Sequence, residues 1–166
     1  MLADPPPPGF ATDRHRHELG SGTDVWAGAR RAISEWAQFD VGWAEIATGG
    51  EPPHAGQVVI IHAGWFGAHF LAPCRVVDTH DVEDENFAAF GLVYGTLPGH
   101  VAVGEERFEV TLDKATGVVA YELYAMAAPG RWFTRLGRPL LDRQRARFRH
   151  DSGRALARSV GESDLR

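Results

Sequence analysis

The sequence predicts an α+β domain: a curved antiparallel sheet of six or seven strands wrapped around a long C-terminal helix, with one further helix near the N-terminus. Three observations predict it. Six β-rich segments follow one another from Val41 to Ala127 with no helical pattern between them, which suits an antiparallel meander and not βαβ units. An amphipathic helical pattern precedes them, and a longer one follows. A lone long helix must bury its apolar face, and the sheet is the partner the chain offers. Twisted strands curving around it give a helix-grip arrangement with a space between helix and sheet, either filled by side chains or open to a ligand.

Residues 1–9, with Pro5 to Pro8, read as a proline-rich stub of polyproline II character; residues 10–160 read as a single domain and 161–166 as a tail. The first residues have neither a basic region nor an apolar core, so no secretory signal is expected. Phe10–Glu18 offers a strand ahead of the first helix. That helix has Asp24 as a candidate cap and Trp26, Ala29, Ile33 and Trp36 at helical spacing on one face. Strands are expected at Val41–Ala47, Gln57–Ala63, Cys74–Thr79, Phe87–Leu97, Glu105–Leu112 and Val118–Ala127, separated by turn residues such as Pro98-Gly99 and Ala115-Thr116-Gly117. Gly64–Pro73 reads as an apolar loop. The stretch Val58–Cys74 approaches a membrane span in hydropathy, but His62, Gly64, Gly67, His69 and Pro73 interrupt it. Gly137 followed by Arg138-Pro139 marks a helix restart, and the last helix runs from Pro139 to about Ser159. Leu140, Gln144 and Phe148 define its inner face, with the arginines mostly elsewhere.

The chain has 166 residues, 44% hydrophobic and 23% charged, enough for one real core and too apolar for disorder. One cysteine, Cys74, rules out an internal disulfide and a cysteine-based zinc site; it reads as a buried small residue, not a nucleophile. The net charge of -5 divides unevenly: residues 1–130 carry 7 basic and 18 acidic residues, whereas 131–158 carry 9 arginines and 2 aspartates. Nothing in that balance asks for nucleic acid, and a cytoplasmic location is expected.

Strand parity singles out one carboxylate. Phe108, Val110 and Leu112 share a face, and Glu106 shares it with them, while Glu105, Arg107 and Glu109 take the opposite, solvent face. An inward Glu106 must be hydrogen-bonded, paired or raised in pKa. It either orients a ligand or acts as acid or base, or it ties down the neighbouring turn; Arg75 is its expected partner. Tyr94 alternates with Phe90, Leu92 and Thr96, and Tyr121 with Val119, Leu123 and Ala125. Both suit a cavity wall or plain core packing. Glu122 falls on the outer face. Gln144 is the polar group that the last helix offers to the interior. Eight histidines form no HExxH or compact ligand cluster, and Asp78 to Glu85 lacks calcium-loop spacing and reads as a solvated loop. No metal site and no cofactor is expected. Nucleophile-elbow, Walker and dinucleotide-binding motifs are missing.

The run Phe90-Gly-Leu-Val-Tyr-Gly-Thr-Leu-Pro-Gly-His100, followed by Gly104-Glu-Glu-Arg-Phe108, resembles the uncharacterised family called domain of unknown function nineteen-ninety. Trp26–Trp43, Pro73–Val77 and Arg135–Ser152 resemble its early helix, its central Cys-Arg-Val strand and its last helix, so the resemblance covers about Phe10 to Val160. It implies no activity. It directs attention to Arg75, Tyr94, Thr96, His100, Glu105 and Glu106. The element order is similar to the START and birch-pollen-allergen-like superfamily, whose members commonly hold apolar ligands between sheet and helix; this is an analogy of fold.

The expected function is binding of a small apolar or amphipathic molecule, with Arg75, Tyr94, Thr96, Glu106, Tyr121 and Gln144 as candidate ligand contacts. Trp65, Phe66 and Phe70 would form a lid or entrance. Two alternatives stand beside it. One is an enzyme of cyclase or hydratase type using Glu106 as acid or base with His100 or Tyr94. The other is a protein-interaction or membrane-peripheral module using the apolar loop and the arginine-rich helix.

Overall fold

The computed structural model describes residues 6–65, 68–100, 102–129 and 138–163, without the side chains of 65, 68, 129, 138–141, 162 and 163. Seven strands are formed: β1 (Ala11–Ser21), β2 (Ala44–Ala47), β3 (Val58–Trp65), β4 (Ala68–Glu83), β5 (Phe87–Thr96), β6 (Ala102–Asp113) and β7 (Val118–Pro129). Helix α1 (Thr23–Ser34) lies between β1 and β2, and helix α2 (Arg138–Ser163) follows β7. The strands make one antiparallel sheet in the order β1-β7-β6-β5-β4-β3-β2. The strand expected ahead of the first helix is therefore real, and it closes the sheet against β7.

Alternation along β5, β6 and β7 sends Leu92, Tyr94, Phe108, Val110, Val119, Tyr121 and Leu123 to the concave face, where they meet Ala29 and Ile33 of α1 and Leu156 and Val160 of α2. The inner face of α2 continues the spacing of four that Gln144 and Phe148 begin, through Ser152, Leu156 and Val160, the last three buried. Leu140 lies outside the described side chains. Helix and sheet touch closely where a Cβ on Gly153 would stand 3.0 Å from the Cβ of His17.

Three local expectations are corrected. Helix α1 is capped by Gly22, and Asp24 sits in its first turn, where a carboxylate favours the positive end of the helix dipole. The helix ends at Ser34, so Trp36 does not extend its apolar face. Trp36 adopts a left-handed conformation (φ 60°) ahead of a 3-10 turn, Ala37–Phe39. Such a conformation costs about 1–3 kcal/mol for a non-glycine residue. Burial of the indole, with its Nε1 donating to the Glu51 carbonyl at 3.2 Å, offsets that cost and delivers Phe39 to the concave core.

Secondly, of the expected loop Gly64–Pro73, Gly64, Trp65 and Ala68 to Pro73 are strand, and Phe66 and Gly67 lie outside the described residues. Strands β3 and β4 form a paired arm from Val58↔Arg75 to Trp65↔Ala68. Both faces of the arm are apolar, with Val58, Ile60 and Leu71 exposed outside and Ile61, Ala63 and Ala72 inside, so the sequence shows no alternation to read. Thirdly, Asp78 to Glu83 belongs to β4 and is not a solvated loop. Asp81 meets Arg30 of α1 in a bidentate pair at 2.6–2.7 Å, and that guanidinium also lies 4.5 Å from the centre of the Phe90 ring.

Candidate functional site

A cavity of about 380 Å³ opens between the concave face and the first turns of α2. Its walls are mostly apolar, with Phe39, Trp43, Ile61, Ala63, Leu123 and Phe148 among them. Helix α2 is fixed over it from both sides. Phe148 packs on Phe39 (5.3 Å between ring centres), Trp43 and Phe108. The Trp43 Nε1 donates to Asp151 at 2.9 Å, and Arg149 pairs with Asp13 of β1.

One cross-strand row carries the polar end. Asp13, Ala125, Glu106, Tyr94 and Val76 lie side by side across β1, β7, β6, β5 and β4. Glu106 and Tyr94 are direct neighbours, and the Tyr94 hydroxyl donates to Glu106 Oε2 at 2.5 Å. Burial raises the Glu106 carboxyl above its ordinary value, against the pull of the Tyr94 hydrogen bond and of the Arg145 and Arg149 charges. Burial and the adjacent carboxylate hold Tyr94 well above the usual phenol range, so it stays a proton donor. The pair is a carboxyl with a fixed orienting hydroxyl at the wall of an apolar chamber, a group suited to hydrogen-bonding a ligand or to moving a proton.

Thr96 stands on the same face, one step toward the mouth, and its Oγ1 accepts the Gly104 N–H at 3.1 Å. His100 lines the cavity from the β5–β6 turn with Nδ1 at 3.0 Å from both the N–H and the carbonyl oxygen of Ala102; burial lowers its pKa. Gln144 and Phe70 also line the space, whereas the side chains of Trp65 and Phe66 lie outside the described ones. The cavity thus brings together Tyr94, Thr96, His100, Glu106, Gln144 and Phe70.

Two expected contacts are not in it. Arg75 is exposed on the convex face: Cys74 and Val76 are the buried residues of that strand, and the parity of β4 turns Arg75 away from Glu106. Tyr94 takes the place expected of Arg75. Tyr121 is fully buried in the core and hydrogen-bonds Ser152 of α2 at 2.6 Å, so it joins helix to sheet instead of lining the space. Cys74 is buried as expected, and burial pushes its thiol up to about 12. Sequence reasoning missed Trp43, Arg145 and Arg149. The two arginines belong to the set assigned to the solvated side of the helix, and only a helical wheel referred to Gln144 would have placed both of them one residue past the inward stripe, on the same side of it.

The convex face is less solvated than parity alone implies. Glu109 and Glu122 are nearly buried there. Glu122 accepts from Arg14 and Arg16; burial works to raise its pKa, and the two guanidinium groups outweigh that and hold it low. Glu109 meets His80 at 2.9 Å across Gly91, where β6 comes so close that a Cβ would stand 2.2 Å from the Phe108 backbone oxygen. Arg107 completes this pair at 3.3 Å.

Among the described residues no three metal-ligating side chains gather, and no helix is long and apolar enough to cross a membrane.

Comparison with known proteins agrees with the geometry. In overall shape the chain is similar to the Zhui aromatase/cyclase of a Streptomyces species (TM-score 0.58, 15% identity, 93% of this chain and 94% of that one). It is likewise similar to norcoclaurine synthase of Thalictrum flavum (TM-score 0.54, 14% identity, 92% and 95%). A third is Ara h 8.0201 (TM-score 0.52, 10% identity, 90% and 99%). These likenesses show a Bet v 1-like, helix-grip fold. In sequence it is 30% identical to a UPF0548 protein of Dictyostelium discoideum over 96% of this chain and 77% of that protein. It is 31% identical to one of Deinococcus radiodurans over 89% and 77%. The profile described as "Domain of unknown function (DUF1990)" matches residues 2–155, and the chain belongs to that family.

Proposed function

We propose that the protein binds a small apolar or amphipathic molecule between the sheet and α2. The observation that carries this is the cavity itself: about 380 Å³ of space in a domain of this size, walled by aromatic and aliphatic side chains, with one hydrogen-bonding pair at its wall. Volume and lining fall in the range of small-molecule sites, about 300–1,000 Å³ with few convergent polar groups. Native mass spectrometry of the purified protein tests it. A retained molecule that denaturation releases supports the reading. A ligand-free protein whose melting temperature no member of a lipid and aromatic library shifts overturns it.

A second reading is favoured by the Tyr94–Glu106 pair: an acid–base reaction on the bound molecule, with Glu106 exchanging the proton, Tyr94 orienting it and His100 at the same cavity. Two of the similar folds are named as a cyclase and a synthase, which is compatible with it. If Glu106→Gln retains the native molecule and converts it as fast as the unaltered protein does, Glu106 has no such role.

A further inference from the structure

The charged groups of the cavity do not balance one another. Asp13 is engaged by Arg149, and Glu106 by the Tyr94 hydroxyl. Asp142 has an interaction of its own, and Glu105 borders the space from the side of β6 whose neighbours face outward. Arg145 lines the same cavity, is half-buried, and makes no hydrogen bond or ion pair with any described residue. It shares that lining with Glu106 and His100, and its charge opposes the rise of the Glu106 carboxyl. Its backbone is well fixed: Phe148 is wedged among three aromatic rings less than one turn further on, and Arg149 is tied to β1. A guanidinium at the cavity wall with no hydrogen-bonded or ion-pair partner among the described residues, beside apolar walls, describes its complement. That complement has an apolar body and one planar, singly charged acceptor, which a guanidinium meets with two parallel hydrogen bonds.

We propose that the cavity takes amphipathic anions, specifically organic carboxylates with an apolar body, and that Arg145 is the residue that selects them. The inference rests on the ligand-binding reading above and adds the class of ligand. It separates Arg145 from its neighbour Arg149, which lies on the same helix with its charge already matched.

The test uses the full chain and three amphiphiles of equal tail length, dodecanoate, dodecan-1-ol and dodecyltrimethylammonium, competing below their micellar concentrations against the neutral dye Nile red. Dodecanoate is expected to compete about tenfold or more better than the alcohol, the advantage of a charge-assisted hydrogen bond in a partly dry site, with the cation weakest. Arg145→Gln is expected to bring dodecanoate down to the alcohol while leaving the alcohol within about twofold of its original value, and Arg145→Lys to keep part of the preference. Equal competition by acid and alcohol in the unaltered protein overturns the inference and leaves the cavity reading intact. So does an Arg145→Gln protein that weakens both alike, since the side chain then acts by packing. Failure of the dye and of all three amphiphiles to bind overturns the cavity reading and the inference together.

Discussion

Glu106 and Tyr94 hold each other in place because they face across one rung of the β5–β6 ladder. The energetic direction follows from burial. Glu106 titrates above its ordinary value of 4.5 in the folded protein, so the folded state binds its proton more tightly than the unfolded chain does. The stability this contributes is complete below pH 4.5 and is lost as pH rises through the shifted value. Glu106→Gln keeps an acceptor for the Tyr94 hydroxyl and removes the ionisation. Melting curves from pH 4 to 8 are expected to fall less steeply with rising pH in the variant, and to lie above the unaltered protein at the upper end. Identical slopes would show that Glu106 is not the group that titrates. Tyr94→Phe works the other way: it strips a buried carboxyl of its donor and is expected to cost about 1–3 kcal/mol in urea unfolding.

At the scale of elements, α2 and β6 carry the sharpest requirements. Phe148 fixes the helix by its ring contacts, and Phe148→Ala is expected to lower stability by about 3–5 kcal/mol and to enlarge the cavity. A weaker loss accompanied by tighter binding of a bulkier dye would mean that the helix settles onto the sheet. Gly104 has no room for a side chain, because a Cβ would stand 2.0 Å from the backbone oxygen of Met126. Backbone cannot yield as a side chain can. Gly104→Ala is expected to cost at least the 1–3 kcal/mol of an overpacked core, read as a fall in melting temperature.

The legibility of each element in the sequence followed the physics of its faces. Strand β6 sets Phe108, Val110 and Leu112 on one face and Glu105, Arg107 and Glu109 on the other, so Glu106 could be placed by counting in twos, and the same count from Leu92 placed Tyr94 and Thr96 on β5. Helix α2 has a clear inner stripe, which brought out Gln144. The β3–β4 arm is apolar on both faces and contains Pro73, so only its ends, Gln57–Ala63 and Cys74–Thr79, were legible as strands and the stretch between them resembled a loop. Arg75 was misplaced for the same reason: Val77 beside it is exposed and sits at a register shift. Glu109 and Glu122 show the limit of the parity argument, which gives a direction but not the depth of what covers it. Arg14 and Arg16, from a strand more than a hundred residues away in sequence, turn an outer face into a nearly dry one.

At the scale of the whole molecule, the uneven charge acquires a place. Helix α2 is rich in arginine and lies over a sheet with an acidic excess; Arg149 pairs with Asp13 of β1, and Arg158 donates to the carbonyl of Asp40, after the 3-10 turn, at 3.0 Å. A ligand held between the two halves stabilises both. At a hundred times its Kd it is expected to add about 2.7 kcal/mol. That corresponds to a rise of roughly 5–10 °C in melting temperature for a chain of this length. An added compound that binds by calorimetry but leaves the melting temperature unchanged would bind the unfolded chain as well as the folded one, and would not be a cavity ligand.

The pairing of β1 with β7 also sets an order of events. Ala11 finds its partner in Ala127 and Arg149 closes on Asp13, so the sheet edge and the chamber roof need residues more than a hundred positions further along the chain. The central hairpins from β3 to β7 need only near neighbours and can assemble as soon as they emerge. The β1–β7 pairing is the longest loop closure in the sheet and costs the most chain entropy, so folding is expected to be slow for a domain of this size. Until that closure, the first strand is an unpaired edge that an emerging chain must keep from pairing elsewhere.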